Sequence, residues 1–583
     1  MSMRPETRRR VCGVLVIGTG GAGMRAAIAA RESGADVVMV GRRPQRDAHT
    51  VLAAGGINAA LGTVDPEDSW QQHFADTMRE GYFLSDPRVV EIMTREAPGA
   101  VLELADWGCP FARAKNGRLD QRFFGAHKYR RTCYAGDYTG RAVLFTLADR
   151  VQQLRIPVIE NQYVTRLLVA DNHCFGAMAF DLQSGERCIF EADAVVLCAG
   201  GHTRIWRRSS SRRDENYGEG MWLALEAGAR LMDMELVQFH PTGMLIPEEA
   251  AGTLVTEAVR GEGGRLYNAE DERFMERYDA QRMELSTRDR IALANYTEIK
   301  EGRGGPHGGV FLDVTHLGKE KILEKLPRMY RQFVEYQMLD ISKERMEVAP
   351  TAHYSMGGIM VEPATHATDV LGLYAAGECT AGLHGANRLG GNSLVETLVF
   401  GKRAGEDAAR YSFESEMQIR SKDAVSAAEA ELNDIIHAGP ELSRQLQREI
   451  RDAMWEHCGV VRDAADLGAG LKALDGVRSR LGDIDVRPTD EGWGDLAHAF
   501  DVRAMLATGE ATIRGAIERT ETRGAHNRSD FPHLEAAMLV NFVVSGSPGA
   551  LTVRSQPVPE ASEELQPWLS VAEEVSTAGK LVE

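Results

Sequence analysis

Gly13-Val-Leu-Val-Ile17 runs straight into Gly18-Thr-Gly-Gly-Ala-Gly23, and a helix-forming stretch follows to Ser33. Nothing else in the chain constrains its fold as tightly. A buried strand, a GxGxxG turn and a helix, followed by a second apolar strand over Asp36-Val-Val-Met-Val-Gly41, make one βαβ unit. Such a unit commits this part of the chain to a parallel sheet covered by helices. The glycines let the backbone approach a dinucleotide pyrophosphate lodged at the helix N-terminus. A GxGxxG match alone is weak evidence, but this one stands in the required context.

Two later segments read as strands of the same sheet ending at the cofactor, Ala194–Gly201 and Gly372–Glu378. The sheet is therefore completed late in sequence, with an insertion between. Residues from about 241 to 353 have a different texture, with polar loops such as Gly302-Arg-Gly-Gly-Pro-His-Gly-Gly309, read here as an ordinary turn. From Ser412 to about Arg523 the pattern is helical and implies a bundle, followed after Asp530-Phe-Pro532 by a short hairpin and a Pro/Glu-rich tail. A chain of 583 residues has room for several domains of about 150 residues each.

A net charge of −18 without a long basic run gives no nucleic-acid surface. The eight cysteines never come closer than ten residues, so this chain is expected to hold no iron–sulfur cluster or c-type haem, and no metal site. Val11–Met24 follows three arginines like a signal peptide, yet it contains the glycine loop and reads as strand, turn and helix. Ala536–Val553 falls short of the ~20 apolar residues of a spanning helix and includes Asn541 and Pro548, so no membrane span is expected.

The second strand ends in Gly41-Arg42-Arg43 rather than in the acidic residue usual for NAD. An arginine pair suits the 2′-phosphate of NADP. Against that, Glu378 offers a ribose acceptor, and no second GxGxxG marks a nicotinamide domain. FAD is the expected cofactor. Just beyond the unit lies His49, in the small, glycine-punctuated segment Asp47–Gly56, within reach of a redox ring. Cations beside glycine-rich turns recur in Gln238-Phe-His-Pro-Thr-Gly243, Thr256–Gly264, Thr287–Arg290, Thr351-Ala-His-Tyr354 and His384–Ser393. Planar donors such as Arg388, with imidazoles or hydroxyls opposite, suit a dicarboxylate.

These strings in combination, with Gly372-Leu-Tyr-Ala-Ala-Gly-Glu378 and Arg523-Gly-Ala-His526, resemble the flavoprotein subunit of succinate dehydrogenase or fumarate reductase. The similarity runs from about Gly13 to Pro532, and the wider family includes L-aspartate oxidase. It implies an α/β fold: a Rossmann-like FAD-binding domain (1–240 and 354–411) with an inserted α+β capping domain (241–353). A helical domain (412–530) and a C-terminal β/extended segment (531–583) follow.

The resemblance also implies roles. His240, Thr256, His353 and Arg388 would hold the substrate carboxylates, with Phe124 against the substrate; Glu257 and Arg260 would relay protons to Arg288. FAD contacts are expected at Gly18, Gly20, Gly21, Ala22 and Gly23, and at Gly41 and Arg42. Further contacts are expected at Thr50, Ala53, Gly55 and Gly56, at Val164, Ala199 and Gly200, and at Glu219 and Glu378. Asn392, Ser393 and Leu394 complete the set. His49 matches the histidine that complex-forming members bond to the flavin 8α carbon, which L-aspartate oxidase lacks. That favours a chain exchanging electrons with an iron–sulfur subunit, which passes them through membrane anchor subunits to quinone at the cytoplasmic face of the cell membrane. A soluble L-aspartate oxidase or soluble fumarate reductase is the alternative. Three positions depart from the family: Ala48 and Ala54 stand where many members have Ser and Gln or Glu, and Val259 where some carry a cysteine.

Overall fold

The structure, a computed structural model, describes residues 7–123, 125–415, 420–487, 489 and 492–570. The βαβ unit comprises strand Thr7–Ile17, helix Gly21–Glu32 and strand Val37–Val40. Val14–Ile17 are buried, as a run of apolar residues covered on both faces should be. The first strand begins before that run because Thr7–Cys12 pair in parallel with Arg187–Ala192, where the exposed Arg8–Arg10 need no apolar cover. Among the described residues, seven strands make this sheet. Leu373–Ala375 joins it beside Val195–Leu197, so its last parallel strand does come late in sequence.

The inserted capping domain is built on an antiparallel sheet in the order Val237–Met244, Met346–Ser355, Val310–Asp313, Arg265–Tyr267. It encloses a core of its own that includes Met244, Leu266, Phe274, Leu312 and Phe333. Its first and last strands run across positions 241 and 353 and pair with each other, Phe239 opposite Ala352. The chain thus enters and leaves the insertion along one two-stranded stem.

Helix Asn392–Glu414 returns the chain to the FAD-binding domain and lies against helix Gly21–Glu32. The helical domain follows as Lys422–Asp434, Ser443–His457, Ala464–Arg478 and Gly494–Glu518. The last of these is buried over most of its length, including His498, Asp501 and Thr512. The expected C-terminal hairpin is Val540–Ser545 with Thr552–Pro557, and its first strand pairs with Leu231–Met232. Among the described residues no helix is long and apolar enough to cross a membrane.

Candidate active site

One continuous cavity joins the glycine loop to the cationic cluster. At its nucleotide end, Gly18, Gly20, Gly21 and Ala22 line the wall where helix Gly21–Glu32 begins. The helix N-cap, Gly20, supplies no side-chain oxygen, and the amide of Gly21 donates to Thr50 Oγ1 at 3.0 Å. Gly18 has φ +117°, and a Cβ there would sit 2.1 Å from the carbonyl oxygen of Cys198. Gly23 does not line the cavity: its Cβ would lie 1.9 Å from Gly18 O, so it serves the close approach of helix to strand.

Gly41 and Arg42 line the cavity at the end of the second strand. Arg42 is not free for a 2′-phosphate. Its guanidinium makes a two-pronged contact with Asp501 (2.8 and 3.0 Å) and reaches Glu219 at 3.1 Å, over the ring of Tyr163. Arg43 is held by Asp47 at 2.7 Å. Burial lifts Glu219 to about 7, with Asp501 pushing the same way. Asp501 comes from the long helix of the helical domain, so that domain holds the nucleotide end together. Replacing it by Asn strips a buried pair of its anion, a change that costs about 3–5 kcal/mol. Asp501→Asn is expected to lower the melting temperature and to leave the purified chain with less FAD than wild type; an unchanged FAD content would contradict the anchoring role.

Thr50, Ala53, Gly55 and Gly56 line the middle of the cavity together with His49, opposite Val164, Ala199 and Gly200. His49 opens a short 3-10 turn, His49–Leu52, and its Nδ1 lies 2.7 Å from Glu215 Oε1. Burial works against a charged ring here, but Glu215 outweighs it and raises the pKa of His49. Glu378 also lines the wall, accepts from the amide of Ser355 at 3.1 Å, and is pushed up by burial to about 7. Ser393 and Leu394 line the cavity, whereas Asn392 stands behind it, bonded to Asn58, His73 and Thr77.

At the far end His240, Thr256, Glu257, Arg288, His353 and Arg388 share the cavity. The paired strands of the stem set the two histidine rings 5.3 Å apart, edge to face. Burial drives both well below their ordinary range, aided by Arg288 for His240 and by His240 for His353, so they present neutral N–H donors. His353 Nδ1 is satisfied by Ser210 Oγ at 2.8 Å. Arg288, the first residue of its helix, donates from Nε to Glu257 at 2.8 Å and from Nη1 to Gln238 at 3.2 Å. Arg388 donates to the same Gln238 oxygen at 3.1 Å and to Ser393 at 3.2 Å, and lies over the ring of Tyr354. Arg388 is lowered to about 10 by burial and by Arg288. Burial raises Glu257, but Arg288 and Arg260 outweigh it and hold the carboxyl at about 2. Arg260 stands behind, 3.9 Å from Glu257 and bonded to the carbonyl of Glu284. Phe124 lies outside the described residues.

The arrangement is a glycine-lined cradle opening onto a pocket that holds two arginines and two neutral histidines. Comparison with known proteins agrees with it: residues 13–394 match a family model described as an FAD binding domain, and 447–565 one described as the fumarate reductase flavoprotein C-terminus. The succinate dehydrogenase flavoprotein subunit of Rickettsia bellii is 36% identical over 556 residues, covering 91% of this chain and 92% of that one. This chain belongs to the succinate dehydrogenase/fumarate reductase flavoprotein family. Another similar protein, a chain of the fumarate reductase (CoM/CoB) of Methanothermobacter marburgensis, is 44% identical over 529 residues, 90% of this chain and 96% of that one. The structure of Mycobacterium smegmatis Sdh1 in complex with UQ1 superposes with a TM-score of 0.89 at 40% identity, covering 98% of each chain.

Sequence reasoning did not single out Gln238 as a site residue, although it stands in Gln238-Phe-His240. Nor did it find Glu215 or Asp501, whose partners are 166 and 459 residues away. The departure at Val259 has a chemical consequence. Val259 is buried, and so are all eight cysteines. Desolvation raises thiols such as Cys133, Cys174 and Cys379 to about 12. Iodoacetamide at neutral pH is expected to leave turnover of this flavoprotein within about twofold of the untreated rate, because the thiolate is the reactive form. Rapid inactivation prevented by a dicarboxylate would contradict this.

Proposed function

We propose that the chain interconverts succinate and fumarate on FAD held by the glycine loop and tethered through His49. The observation that carries this reading is the pairing of Arg288 and Arg388 on one Gln238 oxygen, beside two neutral histidines, in the cavity that the glycine loop lines. The residues fit the cofactor: a helix N-terminus whose N-cap, Gly20, brings no side chain between it and a pyrophosphate, and Glu378 for a hydroxyl. Bound FAD supplies the site that takes or gives a hydride.

The residues of the chain do the rest. Arg388 clamps one carboxylate of the substrate through its planar fork, while His240, His353 and Thr256 donate to the other. Fixing both ends aligns the carbon–carbon bond with the flavin and twists one carboxylate out of conjugation in fumarate. Arg288 gives the proton to the neighbouring carbon, or takes it from succinate. Such a carbon acid is very weak, and a guanidinium, normally always protonated, is the side chain whose reluctance matches it. Glu257, bonded to Arg288 Nε, and Arg260 behind it return the proton toward solvent. Gln238, Asn387 and Glu80 form a buried chain behind both arginines that sets their spacing.

Electrons leave to an iron–sulfur subunit, and membrane anchor subunits hold the assembly at the cytoplasmic face of the cell membrane, where quinone is reduced or oxidised. The M. smegmatis relative has UQ1 in its complex, and the M. marburgensis relative carries CoM/CoB in its name. The purified chain should reduce an artificial dye with succinate and oxidise reduced viologen with fumarate. Oxidation of L-aspartate by oxygen, with neither of those activities, would replace this reading with the soluble oxidase.

A further inference from the structure

Glu215 sits where the tether must form. Its Oε1 lies 2.7 Å from His49 Nδ1, and His49 Nε2 has no hydrogen-bond partner among the described residues. The carboxylate is itself fixed from the other side: Arg212 donates its amide to Oε1 at 2.8 Å and its Nη2 to Oε2 at 3.2 Å. Arg212 is in turn tied to Asp47 Oδ1 at 2.7 Å, two residues before His49. Glu215 keeps 8% of its side-chain surface, against 30% for the imidazole. The segment carrying His49 and the segment carrying Glu215 are therefore pinned together at two points, with the carboxylate aimed at one ring nitrogen only.

We infer that Glu215 is the positioning residue for flavin attachment: it holds the Nδ1 proton of His49, so that the proton given up to solvent is the one on Nε2, whose lone pair then meets the flavin 8α carbon, and it neutralises the imidazolium that the new bond creates. This rests on the tethered-FAD reading above. The chemistry balances with the substrate as oxidant. The Nε2–C8α bond forms and one C–H bond at that carbon breaks. The released proton ends on flavin N5, and the electron pair stays in the ring system, leaving it reduced by two electrons. Fumarate then takes the hydride from N5 and a proton through Arg288, giving succinate and an oxidised, tethered flavin. The imidazole, now bonded at Nε2 and still protonated at Nδ1, carries a positive charge beside Glu215. Burial favours a neutral ring at His49, and Glu215 is what reverses the balance. Glu215 in turn is pushed up by burial but held at about 2 by His49 and Arg212, so it is ionised throughout the physiological range. The pattern matches the way a carboxylate on one histidine nitrogen fixes the tautomer and raises the basicity of the other in metal sites.

The full-length chain is purified after equal expression times, incubated for a fixed time with saturating FAD and fumarate, denatured in acid and run on a gel, and the flavin fluorescence of the band is divided by the amount of protein in it. Saturation keeps weak binding of untethered FAD from lowering the ratio. Wild type should be tethered. Glu215→Gln should carry about a tenth of the wild-type ratio, the factor expected when a charge-assisted hydrogen bond becomes a neutral one. Glu215→Asp keeps the charge and should tether most of its FAD. A Gln variant tethered like wild type overturns the role of Glu215 while leaving the tether standing; near-complete loss in the Asp variant overturns the role of charge. Wild-type protein that releases its FAD in acid overturns the tether itself, and this inference with it.

Discussion

Arg288→Gln is expected to retain FAD and to bind a dicarboxylate inhibitor such as malonate, yet to turn over roughly 10²- to 10⁴-fold more slowly, the span that a positioned proton donor contributes. The geometry distinguishes this role from simple anion binding. Arg388 holds its place through Ser393, the ring of Tyr354 and Gln238, whose amide is fixed by Asn387 at 2.8 Å as well as by Arg288. Deleting the Arg288 guanidinium therefore leaves one carboxylate clamp intact. What is lost is the link between substrate carbon and Glu257, whose Oε2 accepts from Arg288 Nε at 2.8 Å. Arg288→Lys restores the charge but not the fork that contacts Glu257 and Gln238 together, and should recover little. A large rise in KM with kcat preserved, measured in both directions, would reassign Arg288 to binding.

His49→Ser should bind FAD noncovalently through the glycine loop and lose succinate oxidation more than fumarate reduction. Succinate is a poor reductant, so oxidising it demands a flavin of high potential, and an alkylated imidazole raises that potential. For a two-electron couple each fall of about 30 mV shifts the equilibrium about tenfold, so a drop of ~60 mV disfavours succinate oxidation about a hundredfold. The substitution also leaves Glu215 without its imidazole, a carboxylate that keeps Arg212 but puts more negative charge at the cavity wall and lowers the potential further. A redox titration of the bound flavin checks the shift directly. Intact succinate oxidation at unchanged potential would mean that the tether does not tune the flavin in this protein.

Much of this was legible in order along the chain. The helix at Gly21 and the strands on either side of it follow from apolar runs punctuated by glycines, and the structure places the helix and second strand close to expectation while starting the first strand earlier, at Thr7. Arg388 and Ser393 stand in one string, His384–Ser393, five residues apart, with Ser393 at the start of helix Asn392–Glu414. The stem of the capping domain was harder to place. Strand Val237–Met244 reads as a continuous apolar and polar mixture, and only its pairing with Met346–Ser355 shows where the insertion is attached. Arg42 is the plainest case of a side chain whose meaning changed. Beside Arg43 it reads as a phosphate ligand, and in the fold it is a buried partner of Asp501.

The sequence by itself determined the dinucleotide loop, the late completion of the parallel sheet, and which cations and which histidine would line the cavity. These are local: a turn, a strand or a catalytic string needs only neighbours in the chain to be recognised. Only the tertiary structure decided that Gln238 couples Arg288 to Arg388, that Asp501 claims Arg42, and that Glu215 faces His49. Each of those is a charged or polar contact between segments brought together by packing of the sheet, the stem and the helical domain. Such a contact leaves no periodicity in the sequence, because electrostatic pairing depends on distance in space and not on spacing along the chain.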